Sequence, residues 1–343
     1  MKVELYQPHM AAEWDRLCDA SDHAWLMHRR AFHDAVNLAW NEPERRLVLV
    51  DSGRIVGILP LQYRAWDGSL RSSGRAHTGP ALAPGLQGES ANRGISLLVQ
   101  AAIRAALALR ARKLVIGEAV LARTLADTRL AMGNKASCRE QATRVVSLRG
   151  GWAEVEAGFS TLARRRIRKA AKEGVRVERL APTALPDLYY PLHLETYART
   201  GETPHPQRLF QHIWKEMAGP GLCRVFGAWR GQRLVAALNV AAYKQRGWYW
   251  TGASTAEGQD YGANYALQCH AMRELAEEGF EEYEVGELFP PGAAEKLRGL
   301  TAFKSRFGGE DRSFRIWERP VGTLRRVVRA LLRSLSAPWK GSP

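Results

Sequence analysis

Between Arg45 and Arg64 apolar and polar residues alternate on either side of the turn Asp51-Ser52-Gly53-Arg54, which predicts a β-hairpin. Residues 223–243 repeat the alternation around Trp229-Arg230-Gly231-Gln232. Each hairpin is followed, after a glycine-containing stretch, by a helix that begins with small residues, at 90–112 and at 261–279. Each helix then leads into a short strand ending in Gly-Glu, at 113–118 and at 283–287. The order hairpin, long strand, helix, strand therefore occurs twice and predicts two related α/β units.

The remaining periodic segments fit around these units. Helical patterns at 13–21 and 28–40 precede the first hairpin, and patterns at 185–200 and 206–218 precede the second. Residues 152–174 read as one helix closed by Gly174. These elements predict an α/β (α+β) fold with two domains, 1–150 and 151–320. Each is a mixed central sheet flanked by helices, and a basic amphipathic helix over 321–343 follows them.

A chain of 343 residues agrees with two domains. The opening MKVELYQPHM reads as a strand rather than as a basic-then-apolar leader, so a cytoplasmic protein is expected. Cys18, Cys138, Cys223 and Cys269 have no metal-ligand spacing and read as buried thiols in a reducing compartment; no metal is expected. Net charge changes the picture more. At +15 with a pI near 10.0, the chain favours anionic partners: nucleic acid, phosphate-rich cofactors or acidic membrane. Residues 163–179 hold eight basic and two acidic residues, and no acid occurs from Val321 onward.

Two stretches carry candidate chemistry. In WYWTGASTAEGQDYGANYALQ a strand, a glycine-containing turn and a helix start would leave backbone N–H groups facing an anion, with Gly258, Gly262, Ala263 and Asn264 allowing a pyrophosphate close to the backbone. A plain connection would read the same way. In LTAFKSRFGGE, Lys304 lies between Phe303 and Phe307 and just before Gly308 and Gly309, a combination that neither a surface helix nor a core strand requires.

The second half resembles the Gcn5-related acyltransferase (GNAT) fold in its tandem FemAB-like form, which includes CelD-type acyltransferases. The likeness rests on ARRRIRKAAKEGVRVE, on LVAALNV followed by WYWTGAS, on YGANYALQCHAMRELAEEG with YEVGE, and on GLTAFKSRFGGE. It covers most of residues 155–318. The chain departs from the family at 288–299 and carries no long coiled-coil insertion of the kind found in some tRNA-using members. The resemblance implies transfer of an acyl or aminoacyl group to an amine, with acyl-CoA (acetyl-CoA) favoured as donor and aminoacyl-tRNA as the alternative. It also implies that the lysine of the FK motif lies in the catalytic channel. There its charge would stabilise the carbonyl oxyanion, with Phe303 and Phe307 as walls. A lysine snorkelling along a helix surface is the plainer alternative.

Such a reaction needs a base for the acceptor ammonium. Glu287 is the first candidate, followed by Glu284 and Asp260; Tyr249 and Tyr265 are candidate proton donors, and His270 reads as structural. Arg164, Arg165, Arg168 and Lys169 either form a solvated helix face or grip the phosphates of a nucleotide- or lipid-linked acceptor. The tail over 321–340 suits an anionic membrane surface or the protein's own body equally. The expected function is acyl transfer in peptidoglycan or exopolysaccharide synthesis, in the cytoplasm or peripherally on the membrane's inner face. The rival is an RNA-binding or membrane-associated non-catalytic protein of the same fold.

Overall fold

A computed structural model describes residues 1–72, 78–123 and 128–322, so the basic tail lies outside the described residues apart from Val321 and Gly322. Its strands join in one sheet of thirteen. In chain order they are β1 (Lys2–Leu5), β2 (Glu44–Asp51), β3 (Arg54–Arg64), β4 (Ser69–Ser72), β5 (Ala81–Leu82), β6 (Lys113–Gly117), β7 (Ser137–Ser147), β8 (Val175–Leu180), β9 (Cys223–Arg230), β10 (Arg233–Tyr243), β11 (Arg246–Ser254), β12 (Glu282–Leu288) and β13 (Glu310–Pro320). Both expected hairpins form. The β2–β3 turn takes positive φ at Ser52 and Gly53, 47° and 77°, the handedness that matches the twist of the strands it joins.

Across the sheet the order is β1-β2-β3-β4-β6-β13-β7-β12-β11-β10-β9-β8, with β5 on β3 alone. All neighbours are antiparallel except two pairs, β4 with β6 and β11 with β12. Each half thus repeats the same run of strands, and the halves meet where β13 pairs with β7. The central two strands are exchanged. β7 follows β6 in sequence but pairs with β12 of the second half, and β13 follows β12 but pairs with β6 of the first. A division at residue 150 therefore separates β7 from the strands it pairs with.

Helix Gly88–Ala108 covers the first half's sheet through Ile95, Leu98 and Ala102, and helix Ala263–Glu277 covers the second through Leu267, Met272 and Leu275. Helices Arg30–Trp40 and Gln207–Met217, one from each half, pack on each other in a shared core with Trp25. Among the described residues no helix is long and apolar enough to cross a membrane.

Two expectations are corrected. The single helix over 152–174 is two, Trp152–Ala157 and Thr161–Lys172. The second begins at Ser160, whose hydroxyl accepts from the Ala163 N–H at 3.2 Å, a cap that contributes about 1 kcal/mol. Gly174 closes it at φ 73°. Cys138 is exposed, because the first residues of β7 are exposed, whereas Cys18, Cys223 and Cys269 are buried.

Candidate functional site

β11 and β12 run parallel for only three residue pairs, Arg246–Trp248 against Glu282–Glu284, and then part. Each strand carries a bulge where they separate. Trp250 is the extra residue between the pairs Tyr249–Val240 and Thr251–Asn239, and Val285 is the extra residue between Glu284–Val145 and Gly286–Arg144. Bulges bend and twist a strand, and these two lie on opposite walls of the gap. The gap holds a cavity of about 720 Å³, walled by residues 248–254 and 285–287 and rimmed by helices Tyr190–Thr200 and Glu295–Lys304. A small hollow beside Gly117 in the first half holds about 20 Å³. Another hollow, about 530 Å³ along β1 and β2, contains none of the predicted residues.

Lys304 ends its helix and points into the cavity. Its Nζ donates to the Glu287 carbonyl at 2.6 Å and lies 5.5 Å from the centre of the Phe289 ring. Gly286, at φ 107°, passes directly beneath; a Cβ there would stand 3.2 Å from Nζ. The glycine therefore admits the ammonium to the strand. Burial lowers the Lys304 pKa, and the carboxylates of Glu287 and Glu284 oppose that shift.

Glu287 and Glu284 both belong to β12 but differ in setting. Glu287 lines the cavity, and its Oε1 accepts from Gln141 Nε2 at 2.6 Å. Burial raises its pKa, against Lys304, Arg139 and the Gln141 hydrogen bond. Glu284 is buried off the cavity, where its Oε1 accepts from the Thr143 hydroxyl at 2.8 Å. Burial pushes its carboxyl up to about 7, against Thr143 and Lys304. Gln141 and Thr143 lie on β7, so the strand exchange supplies both supports.

The expected aromatic walls are corrected. Phe307 is fully buried in the core against Phe159, Tyr265 and Phe303, with ring centres 5.5, 5.7 and 5.1 Å away. Phe303 lines the cavity and meets Tyr265 edge-on at 5.0 Å, while the ring over the ammonium is that of Phe289. The two glycines after Phe307 serve a tight crossing. At φ 76°, Cβ atoms on Gly308 and Gly309 would stand 2.8 Å from the Gly158 carbonyl oxygen and 2.2 Å from that of Val145.

The expected anion loop is also built differently. A helix starts at Ala256, directly after β11, with the Thr255 hydroxyl accepting from the Gly258 N–H at 2.9 Å. Gly258 and Gly262 are packing glycines: added Cβ atoms would stand 2.3 Å from the Val235 oxygen and 2.6 Å from the Arg166 oxygen. Ala263 is buried. Of the four predicted residues only Asn264 lines the cavity, and its Nδ2 donates to Ser254 Oγ at 3.2 Å.

Tyr249 and Tyr265 line the cavity. Burial raises the Tyr249 pKa to about 12, and the Tyr265 hydroxyl accepts from Arg306. Asp260 is exposed and His270 faces Phe226 at 5.7 Å, both away from the cavity. Arg164, Arg165, Arg168 and Lys169 do not line it either: Arg164 donates to the Ala157 carbonyl at 3.3 Å, and Arg165 and Arg168 are exposed. Sequence reasoning missed Phe289, Gln141, Arg199 and Lys296. Arg199 donates to the Ser254 carbonyl at 3.3 Å and to Gln259 at 3.2 Å, at the cavity's far end. Lys296 ties the two rims together by pairing with Glu202 at 2.5 Å. Among the described residues no cluster of three or more metal-ligating side chains occurs.

A two-walled gap with an ammonium at its floor and a carboxylate beside it suits attack of an amine on a carbonyl held between the strands. Residues 159–305, which supply both of these groups, match the family model of the acetyltransferase (GNAT) domain. This part of the chain is a GNAT acetyltransferase domain, the domain of an N-acyltransferase. The tandem GNAT fold extends over both halves of the described chain. A crystal structure of FemX superimposes with a TM-score of 0.71 at 16% identity, covering 96% of this chain and 99% of FemX. The C-terminal domain of a putative lysylphosphatidylglycerol synthetase from Agrobacterium fabrum gives 0.61 at 14% identity, covering 97% and 99%. A tandem GNAT protein from the clavulanic acid biosynthesis pathway gives 0.57 at 13%, covering 94% and 99%. No curated protein sequence matches the chain significantly.

Proposed function

We propose that the cavity between β11 and β12 transfers an acyl or aminoacyl group from an activated carrier to an amine of a cell-envelope precursor, a peptidoglycan or exopolysaccharide building block. One observation carries the reading: Lys304 of the FK motif is half-buried with its ammonium at the cavity floor, beside Glu287. The acceptor ammonium first gives a proton to the Glu287 carboxylate. The free amine then attacks the carbonyl carbon, and the negative charge that develops on its oxygen is stabilised by the N–H groups of Lys304 not engaged by the Glu287 carbonyl. Collapse breaks the bond to the carrier, which leaves as a thiolate or alkoxide and takes up the second proton that the attacking nitrogen sheds, relayed through Tyr249 or Tyr265 as candidate donor, while Glu287 returns the first proton to solvent.

An acyl-CoA thioester is the preferred donor, because the described residues contain no inserted helical arm of the kind some tRNA-using members carry; helix Gly88–Ala108, the longest among them, lies on the sheet. The similarity to a lysylphosphatidylglycerol synthetase domain keeps an aminoacyl ester as the second reading. In either case Arg165 and Arg168, whose helix adjoins Gly262, would meet the phosphates of a nucleotide- or lipid-linked acceptor outside the cavity. The test supplies a panel of acyl-CoA thioesters and aminoacyl-tRNAs together with amine-bearing nucleotide- and lipid-linked precursors, and follows product mass. Turnover that Lys304→Ala abolishes supports an enzyme. Salt-sensitive RNA binding without turnover would establish the non-catalytic rival.

A further inference from the structure

Large apolar side chains gather at one corner of the first half, where the chain leaves β13. Trp66, Leu107 and Leu130 are 71, 47 and 76% exposed. Trp66 stands in the β3–β4 turn with the Arg64 guanidinium 5.2 Å from its ring centre. Backbone hydrogen bonds hold that turn to the chain's exit. The Arg112 N–H donates to the Gly68 carbonyl at 2.6 Å, and the Arg112 carbonyl accepts from the Val321 N–H at 3.0 Å. Leu107 borders Gly322, and the helix bearing Leu130 is tied in by Arg319, which donates to the Met132 carbonyl.

The corner is basic as well as apolar. Arg110 and Arg112 are exposed, and among the described residues neither they nor Arg64 joins an ion pair. The acids nearby are occupied: Asp67 pairs with Arg71 at 3.2 Å, Glu318 pairs with Lys113 at 2.7 Å, and Glu42 accepts from the Ala65 N–H at 3.1 Å. From this corner the chain continues into a segment that holds four arginines, one lysine and no acid.

From these observations we infer that this corner is a membrane-docking face for an anionic lipid surface. Trp66, Leu107 and Leu130 enter at headgroup level, and Arg64, Arg110 and Arg112 meet the headgroup phosphates. An indole has an apolar body and a polar N–H, which suits the boundary between water and acyl chains. Arginines near an anionic leaflet add attraction. A second copy of this corner would bring like charge against like. A nucleic-acid backbone would leave Leu107 and Leu130 without apolar partners.

The test sediments the full-length protein with vesicles of phosphatidylcholine alone or of phosphatidylcholine with phosphatidylglycerol, at physiological ionic strength. The parent is expected to bind the anionic vesicles and not the neutral ones. Trp66→Ala and Arg112→Glu should each lower the partition coefficient, Arg112→Glu at least about fivefold, the effect of one basic residue near such a surface. Both positions are exposed, so the thermal transition followed by circular dichroism should not move. Because both lie outside the basic segment, their effect isolates the folded corner from the tail. The inference is overturned if both variants bind as the parent does, if neutral vesicles bind equally, if neither vesicle binds, or if light scattering finds a dimer that Trp66→Ala dissolves. Acyl transfer to a soluble amine should be unchanged in either variant, so failure here leaves the reading of the cavity intact.

Discussion

The ammonium of Lys304 is held 2.6 Å from the backbone carbonyl of Glu287, so one strand both positions the candidate electrophilic group and carries the candidate base. Lys304→Ala is expected to lower kcat by about two to three orders of magnitude, the usual loss when one oxyanion donor is removed. Lys304→Arg should recover only part of it, because a planar guanidinium does not fit the space between Gly286 and Phe289 that an ammonium fills. Steady-state rates with any accepted amine decide the matter, and parent-like turnover in Lys304→Ala would remove the catalytic assignment.

Gly286→Ala tests the same arrangement from below. The new methyl would stand 3.2 Å from Nζ and force φ 107° on a residue with a side chain. A displacement of about an ångström at a reacting centre can cost on the order of a hundredfold in rate. Turnover should therefore fall much further than substrate affinity, with kcat and KM measured separately.

Gln141→Leu should shift a pH profile. The Gln141 hydrogen bond favours the ionised Glu287 carboxylate, so its loss raises the Glu287 pKa further. Since the base works as the carboxylate, the acid limb of kcat/KM should move to higher pH. An unmoved limb would rule Glu287 out as the titrating base.

Glu284 affects stability through pH. Its folded pKa of about 7 lies above the ordinary 4.5, so its contribution is fully present below about 4.5 and is lost as pH rises through about 7. The shift corresponds to about 3 kcal/mol. Glu284→Gln should remove this dependence, and the variant's melting temperature should gain on the parent's between pH 5 and pH 8, at about those values. Parallel melting curves at every pH would contradict the burial of an ionisable group there.

Gly258→Ala separates packing from cofactor binding. The added methyl would meet the Val235 carbonyl oxygen at 2.3 Å, and overpacking of this kind costs about 1–3 kcal/mol. A lower melting temperature with unchanged coenzyme A affinity in the folded fraction is expected; weakened binding without a stability change would restore the loop's anion role. Asn264→Ala, at the cavity wall, should show the opposite pattern.

Local patterns made much of this molecule readable. The alternation around Ser52-Gly53 and around Gly231 depends on neighbouring residues alone, and both hairpins form where they were expected. The break before Thr161 had a local signal as well, a serine followed by a good helix start, and was hidden by the helical composition on both sides. Pairing between distant strands leaves no such trace. Nothing in residues 137–147 says that they join β12 rather than β6, so Gln141 and Thr143 were assigned to the other half and missed. Lys304 was legible because a cation among aromatics and glycines is unusual, yet which ring it meets depended on the chain path at Phe289. Gly258 and Gly262 have the composition of an anion loop because close backbone packing and close phosphate approach both require the absence of a side chain.

The exchange of β7 and β13 also constrains how the protein can be made. Chains usually fold domain by domain as they emerge, the N-terminal unit first. Here the edge of β6 receives its partner from residues 316–320, close to the end of the described chain, and β7 finds no permanent neighbour until β12 and β13 have been synthesised. A nascent chain that has completed its first 150 residues therefore carries an open sheet edge and an unpaired strand. Both must be kept from other chains until residues 282–320 are available.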